Sequence, residues 1–291
     1  MTSRTSAGIQ KSIYNQNGNA VTNNFIIGGD AQIAHAESQG VCGKGVFFEN
    51  SKLSLQQWLV LMHWWCRQYP VTDASQEAKV TEATGVQAYQ YFRDICSWRL
   101  LNRDAPLMLG GPGVIRHKPK VELLYMILMI ICCNQIYLIF QNHRGRSPRS
   151  QIWVFGMVDV SHTPALGYMQ IVPQRDARTL LPIIQQHIRP GTIVRSDEWR
   201  AYNQVQQLNP VAQHQTVNHS ITFVDPVTGV HTQNAESYWN QVKTKFKRMK
   251  GVHELMLSSY LDEFMWRERH GKTASAELQS LCRDIALRYP V

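Results

Sequence analysis

Asp197 and Glu236 are two carboxylic acids that could form part of an active site. Asp197 follows a short apolar run that predicts a buried strand, and Glu236 opens a stretch with helical spacing. Carboxylate oxygens are preferred ligands of Mg²⁺, and strand ends in α/β sheets face the crevice where ligands bind. Each acid also has a simpler interpretation. Asp197 could cap a following helix, and Glu236 could interact favourably with the dipole at a helix N-terminus.

The predicted helix that follows Glu236 carries one polar and one apolar stripe. The polar stripe recurs at helical spacing and consists of Glu236, Asn240, Lys243 and Lys247. The opposite, core-facing stripe consists of Trp239, Val242, Phe246 and Met249. A carboxylate followed by lysines on one face could combine a cation site with phosphate contacts. The alternative is an ordinary solvated helix face.

The elements that would position these residues alternate between strand-like and helical segments. The pattern predicts strands at 152–158, 166–172 and 192–195, a helix at 175–188, and a helix through Trp199, Tyr202 and Val205. A further strand is predicted at 223–229, running into a turn, and the Glu236 helix ends near Gly251. This order indicates an α/β or α+β domain.

Three helices are predicted earlier in the chain, at 54–69, 73–82 and 86–100, with a turn at Thr84 and Gly85 before the third. A short helix, a tight turn and a longer helix are typical of a helix-turn-helix, but an ordinary three-helix bundle fits equally well. The side chains of the third helix that we expect to be exposed and able to contact bases or phosphates are Gln87, Gln90, Arg93 and Arg99.

Composition narrows the function classes. Lys and Arg number 30 and Asp and Glu 21, so the 291-residue chain carries a formal charge of +9, which favours a polyanionic partner. The six cysteines form no CxxC pair, which argues against a disulfide framework and a zinc ribbon. The histidines His214, His219 and His231 fit no standard zinc spacing. The opening residues lack a charged and then apolar leader, so we do not expect secretion.

Several segments occur together in an order typical of one family. They are residues 153–159, 195–202, 217–219, 223–226, 231–239 and 260–267. In these segments the chain resembles the Merlin superfamily of DDE transposases, which is related to ISXO-like insertion-sequence enzymes. The resemblance is close over 150–271 and looser over 46–105.

The resemblance implies an α/β fold: an RNase H-like mixed sheet with flanking helices, preceded by a small all-α helix-turn-helix domain. In the family, three acids hold two Mg²⁺ or Mn²⁺ ions that promote DNA strand cleavage and transfer. The second acid falls on Asp197, the third on Glu236, and a family lysine on Lys243. Lys243 and Lys247 are expected to contact DNA. A homo-oligomer, a nuclear location and no small-molecule substrate are also expected.

The expected organisation has five parts. They are a disordered lead-in at 1–45, a helix-turn-helix region at 46–105, a linker with a disrupted first strand at 106–150, an RNase H-like domain at 151–271 and a tail at 272–291.

The first acid of the family is missing. It belongs on the opening strand after the Gly/Pro stretch 110–113, where this chain instead continues into a basic run. Glu122 is the nearest carboxylate, and Asp159 belongs to the second strand, near the hairpin turn, so we expect neither to replace the missing acid. Cleavage is therefore expected to be impaired. The alternative is a non-catalytic, transposon-derived DNA-binding protein.

An apolar block occupies residues 123–140 and has no charged residue. As a helix it would be about 27 Å long, close to the roughly 30 Å of a bilayer core. Asn134, Gln135 and the charged flanks argue against membrane insertion. A strand or strand pair that fills the vacant sheet position is expected, or else an insertion that packs badly.

Overall fold

The computed structural model describes residues 13–14, 20–21, 47–48, 51–102, 107–110, 125–132, 152–217, 233–271 and 273–290. Packing divides the chain into two units, Met1–Lys52 and Leu53–Val291. In the first unit, strands β1 (Ile13–Tyr14) and β2 (Ala20–Val21) pair antiparallel. Most of the predicted lead-in, 1–45, lies outside the described residues.

Three helices open the second unit: α1 (Leu55–Cys66), α2 (Val71–Glu77) and α3 (Glu82–Leu101). The helix α1 begins at a capping box, in which Ser54 Oγ accepts from Gln57 N and Gln57 Oε1 accepts from Ser54 N. The predicted turn at Thr84 and Gly85 is wrong, because both residues lie in the first turn of α3. The chain turns at 78–81 instead, with Lys79 in the left-handed region at φ 54°.

Gly85 lets α2 and α3 approach closely. A Cβ atom at this position would collide with Ser75 Oγ, and it would lie 3.1 Å from a methyl group of Val71. The glycine that suggested a turn is therefore required by helix packing.

A five-stranded mixed sheet forms the centre of the second unit, in the order β5–β4–β3–β6–β7. The strands are β3 (Tyr125–Cys132), β4 (Trp153–Asp159), β5 (Leu166–Val172), β6 (Thr192–Asp197) and β7 (Val211–Val217). β3 pairs antiparallel with β4 and parallel with β6, while β4–β5 is antiparallel and β6–β7 is parallel. The predicted strands are confirmed within one or two residues, and β7 was not predicted. The predicted strand at 223–229 lies outside the described residues.

The apolar block supplies the middle strand of this sheet. Its residues Tyr125–Cys132 form β3, with neighbours on both sides. A continuous apolar run is typical of a strand that is covered on both faces. The strand expectation is confirmed for this segment, and the rest of the block lies outside the described residues. Within the described part of the chain, no helix has the length and apolar character needed to span a membrane.

Helices cover both faces of the sheet. One face packs against α4 (Ala177–His187) and two 3₁₀ turns, Arg200–Tyr202 and Val205–Gln207. The predicted α-helix through Trp199, Tyr202 and Val205 is wrong. The side chains of Tyr202 and Val205 are buried three residues apart, a spacing that suits 3₁₀ geometry.

The other face packs against α5 (Gln233–Arg248) and α6 (Leu257–His270). A last helix, α7 (Ala274–Arg288), occupies most of the predicted tail at 272–291. The helix α3 packs against both α6 and α7. The helices that were predicted as a separate DNA-binding region thus share one compact unit with the sheet.

A buried ionic cluster joins these helices. Glu263 Oε1 lies 2.9 Å from Lys245 Nζ and 2.7 Å from Arg267 Nε. Arg267 also pairs with Glu277 and donates from an Nη atom to the carbonyl oxygen of Trp65 at 2.9 Å. Although burial opposes ionisation, the two cations hold the pKa of Glu263 down at about 2. The cluster links α1, α5, α6 and α7.

Candidate functional site

Asp197 is the last residue of β6. Its side chain lies at the carboxyl end of a parallel strand, the position that binds ligands in α/β sheets. The Oδ1 atom accepts a hydrogen bond from the backbone N of Trp199 at 3.1 Å. Because no α-helix follows, this bond makes a local turn, and the helix-cap interpretation does not hold.

Strand alternation assigns Asp197 to a face of the sheet. Val194 packs in the core beneath α4, so Asp197, three residues further along, belongs to the opposite face. That opposite face carries Val154 and Val158, which pack against α5. Asp197 therefore lies on the α5 side of the sheet.

Glu236 lies in the first turn of α5, and its side chain is half-buried. The helix crosses β4 at Gly156, where a Cβ atom would lie 2.5 Å from Trp239 Cζ2. Trp239 is three residues beyond Glu236 and points into the core against the sheet. The two predicted acids are thus on the same side of the sheet.

The strand between them carries no acid at the matching position. Ile127 of β3 is in register with Arg195 of β6, so continuing the parallel register two residues brings Met129 level with Asp197. Met129 is also the partner of Gly156, over which α5 crosses. Within the described ranges, no three His, Cys, Asp or Glu side chains form a group that could hold a metal ion.

Asp159 has a structural role. It is buried at the end of β4, where Oδ2 accepts from Gly110 N at 2.8 Å and Oδ1 accepts from Ser161 N at 3.0 Å. Its partner in β3 is Met126, three residues before the position level with Asp197. These bonds fix the hairpin turn and an incoming chain segment. Glu122 lies outside the described residues.

The polar stripe of α5 continues from Glu236 to two lysines. Lys243 is half-buried and Lys247 is exposed. Burial is the main cause that lowers the pKa of Lys243, the charge of Lys247 lowers it further, and the charge of Glu236 opposes both. Opposite them, the predicted core residues Trp239, Val242 and Phe246 are buried and Met249 packs partly against them.

The four candidates on α3 differ in their surroundings. Gln87 is exposed and donates to Tyr91 Oη at 3.0 Å, and Gln90 is half-buried. The expectation that Arg93 is exposed is wrong: it is 5% exposed, and its guanidinium lies 4.3 Å from the ring centroid of Tyr260. α6 covers that face of α3, and sequence periodicity could not reveal a helix so distant in the chain.

Arg99, the fourth candidate, is also held by a distant helix. Its Nε lies 3.3 Å from Oδ1 of Asp284, a buried residue of α7. Its side chain remains 30% exposed.

Of the three histidines whose spacing fits no zinc pattern, His214 lies among the described residues. His214 Nε2 lies 2.9 Å from Ser196 Oγ, and burial lowers its pKa. His219 and His231 lie outside the described residues.

One group at this end of the sheet was not predicted. The guanidinium carbon of Arg175 lies 4.4 Å from the ring centroid of Trp153 and 4.5 Å from that of Trp199. The group borders a cavity of about 750 Å³. Both tryptophans occur in the family-like segments quoted above, which is the only signal in the sequence that could have pointed to them.

Comparison with known proteins supports the resemblance of this region to transposases. Residues 136–269 match the family model of the ISXO2-like transposase domain. An uncharacterized transposase-like protein of Haemophilus influenzae is 29% identical over 108 residues, which are 37% of this chain and 85% of that protein. The resemblance to insertion-sequence transposases is confirmed. The matched region contains Asp197, Glu236 and Lys243 and begins after β3.

Proposed function

We propose that this chain, whose residues 136–269 match the ISXO2-like transposase domain, binds DNA at the carboxyl edge of its sheet and is impaired in strand cleavage. The observation that carries this proposal is the shared face of Asp197 and Glu236, with Met129 at the β3 position level with Asp197. On this proposal Asp197 and Glu236 act as two of the three family acids, and an apolar residue occupies the position of the third.

The sheet supports an RNase H-like arrangement. It is mixed, has helices on both faces and brings its two candidate acids to one side. The middle strand is the opening strand of the sheet in chain order, which is where the family places its first acid. The apolar block therefore completes the sheet without supplying the carboxylate.

The described residues do not fit a complete two-ion site. Magnesium and manganese prefer oxygen ligands, whereas the thioether of a methionine is a soft ligand that suits other metals. Two carboxylates leave less negative charge to hold a pair of cations together. Because members of such a cluster act as a unit, losing one removes most of the reaction rate.

DNA binding requires cationic and polar groups but not the missing carboxylate, and the chain retains such groups. Lys247 is exposed on the same helix as Glu236, and Lys243 is half-buried beside it. We propose that both lysines contact phosphates. The turn at 78–81 between α2 and α3, with Gln87 exposed on α3, supports a helix-turn-helix contribution. Oligomerisation on paired DNA ends is part of this proposal.

Restoring the missing carboxylate tests the proposal. The natural chain is expected to nick DNA bearing the element's terminal repeats little or not at all in Mg²⁺ or Mn²⁺. Met129→Asp is expected to raise the nicking rate at least tenfold and to strengthen terbium binding, which luminescence measures independently of cleavage. Met129→Asn, which adds no charge, and Leu128→Asp, on the other face of β3, are the matched controls.

The outcomes separate the two candidate functions. Robust cleavage by the natural chain would contradict the impaired enzyme. A folded Met129→Asp protein that binds DNA and gains neither cleavage nor terbium affinity would favour a protein that only binds DNA. In that case Asp197→Asn and Glu236→Gln leave DNA affinity unchanged. Circular dichroism and thermal unfolding identify any variant that fails to fold.

A further inference from the structure

We propose that Trp153, Arg175 and Trp199 form a binding site for an unpaired nucleobase beside Asp197. The inference depends on the proposed DNA binding at this edge of the sheet. It adds a site that neither the family resemblance nor the candidate acids predict.

Arg175 stacks on both indoles. Its guanidinium carbon lies over each ring, 4.4 Å from the ring centroid of Trp153 and 4.5 Å from that of Trp199. Both distances are within the range of cation–π attraction. Trp199 is fixed further, because its Nε1 donates to the carbonyl oxygen of Arg175 at 3.4 Å. An aromatic surface is thus held in place before any ligand binds.

The outer layer of the stack is open to solvent. Trp199 is 38% exposed, which is unusual for so large an apolar side chain. An exposed indole that is already stacked on its inner side offers its remaining surface to another planar group. Nucleobases are planar, and stacking on aromatic residues is the usual way that proteins bind them without sequence preference.

The position of the stack links it to the candidate acids. Trp153 opens β4 and pairs with Cys132, the last residue of β3. Trp199 follows Asp197 by two residues and donates its backbone N–H to the Asp197 carboxylate. Asp197 lies on the α5 side of the sheet and Trp153 on the α4 side, so a DNA strand that crosses this edge with a phosphate near Asp197 would bring a neighbouring base to Trp199.

The adjoining cavity suits one nucleotide. Its volume of about 750 Å³ lies within the roughly 300–1,000 Å³ of ligand pockets. Asn203 and Gln204 line it with amides that can bond base edges, and Arg200 adds a cation for a phosphate. Asp176 also lines the cavity, where its Oδ1 accepts from Thr179 N at 2.9 Å and caps α4.

A base must leave its base pair before it can stack on Trp199, and this requirement defines the ligand. A base inside a duplex has both faces covered by its neighbours, so only an unpaired or extruded base can reach Trp199. The site therefore distinguishes a blunt DNA end from one with a short single-stranded extension. The extension is expected to bind about tenfold more tightly.

The test compares two DNAs that differ only in this feature. The full chain is titrated with a blunt duplex and with the same duplex carrying a short single-stranded extension that contains 2-aminopurine. The natural chain is expected to bind the extended duplex more tightly and to quench its fluorescence. Trp199→Ala is expected to lose both effects and to keep its affinity for the blunt duplex, while Trp199→Phe keeps part of the quenching.

A matched control and a second variant make the result specific. Trp98 of α3 is half-buried and likewise lies beside an arginine, with Arg288 5.9 Å from its ring centroid, and Trp98→Ala is expected to retain the preference. Arg175→Gln removes the cation from the stack and is expected to weaken quenching. Thermal unfolding confirms that each variant is folded.

Two results would count against the inference in different ways. If Trp199→Ala binds the extended duplex as the natural chain does, the base site is wrong while DNA binding stands. If the natural chain binds no duplex, the proposed function fails, and a single-stranded oligonucleotide with 2-aminopurine then decides the base site alone. Quenching that does not depend on Trp199 would overturn it.

Discussion

Two arginine–tryptophan pairs in this molecule have opposite surroundings. Arg267 lies 3.9 Å from the ring centroid of Trp65 inside the helical region, and Arg175 lies 4.5 Å from that of Trp199 at the carboxyl edge of the sheet. Trp65 is 2% exposed and Trp199 is 38% exposed. The same two residue types thus stabilise the fold in one region and leave an indole exposed to a ligand in the other.

The two arginines differ in whether protein groups or solvent stabilise their charge. Arg267 is buried, paired with Glu263 and Glu277, and bonded to backbone carbonyls of α1. A charge in such a place must be neutralised by the protein, because water cannot reach it. At the sheet edge, Arg175 is exposed and solvent stabilises its charge. A ligand can therefore bind beside it, on Trp199, without disrupting the core. Substitutions in each region test this contrast.

The largest effect is expected from Glu263→Ala. The substitution leaves Lys245 and Arg267 buried beside each other without their shared carboxylate. Removing one partner of a buried ionic group typically costs about 3–5 kcal/mol, and we expect a loss of that size in the free energy of unfolding measured with urea.

The comparison requires a matched change at the sheet edge. Asp197→Asn keeps the shape and the acceptor for Trp199 N, so it is expected to change the stability by less than about 0.5 kcal/mol. Equal losses of unfolding free energy in Glu263→Ala and Asp197→Asn would contradict the contrast between the buried ionic cluster and the exposed edge of the sheet.

A smaller effect is expected from Glu268, a buried acid outside the ionic cluster. Its Oε2 accepts from Tyr238 Oη at 2.9 Å and from Gly167 N at 3.2 Å. Burial raises its pKa from 4.5 to about 7, and Arg269 opposes this shift. The native protein then keeps a proton that the unfolded chain releases. The contribution of Glu268 to stability is therefore fully present below pH 4.5 and is lost as the pH rises through about 7.

The size of this fall follows from the pKa difference and is on the order of 3 kcal/mol. Glu268→Gln is neutral at every pH and is expected to remove this part of the slope in urea unfolding measured from pH 4.5 to 7. Glu198→Gln, at an exposed position near Asp197, is the control and is expected to keep the slope. An unchanged slope in Glu268→Gln would mean that the carboxyl is ionised in the native protein.

A smaller loss of stability than at Glu263 or Glu268 is expected where α5 crosses the sheet. Gly156→Ala places a methyl group against Trp239 and is expected to cost about 1–3 kcal/mol in urea unfolding. Adding Trp239→Phe is expected to recover part of the loss. Quenching of an extended DNA end by Trp199 should persist, since that stack lies on the other face. Loss of quenching in a folded Gly156→Ala protein would contradict the separation of the two faces.

Local patterns predicted much of the framework. The capping box at Ser54 and the strands β4, β5 and β6 depend on neighbouring residues, so they could be read from the chain. The core stripe of α5 was also predicted, because helical periodicity records which face is buried. The 3₁₀ turns after Asp197 were predicted as a helix, since buried residues three apart are compatible with both.

The candidate acids came from sequence, and their placement came from packing. Sequence context and the resemblance both pointed to Asp197 and Glu236, and strand alternation with helix packing assigns them to one face. The stack at Trp199 was missed because its three members come from separate segments. Arg93 was misjudged for the converse reason: an arginine on a polar stripe is normally exposed, and here α6 covers it.

Residue types and spacing are enough to predict the order of strands and helices, the resemblance to insertion-sequence transposases and the absence of an acid from the apolar block. Long-range packing places residues 125–132 of this block in the middle of the sheet, brings Met129 level with Asp197 and selects which arginines face solvent. Those outcomes depend on contacts between segments far apart in the chain, where packing selects one partner among many that local pattern allows.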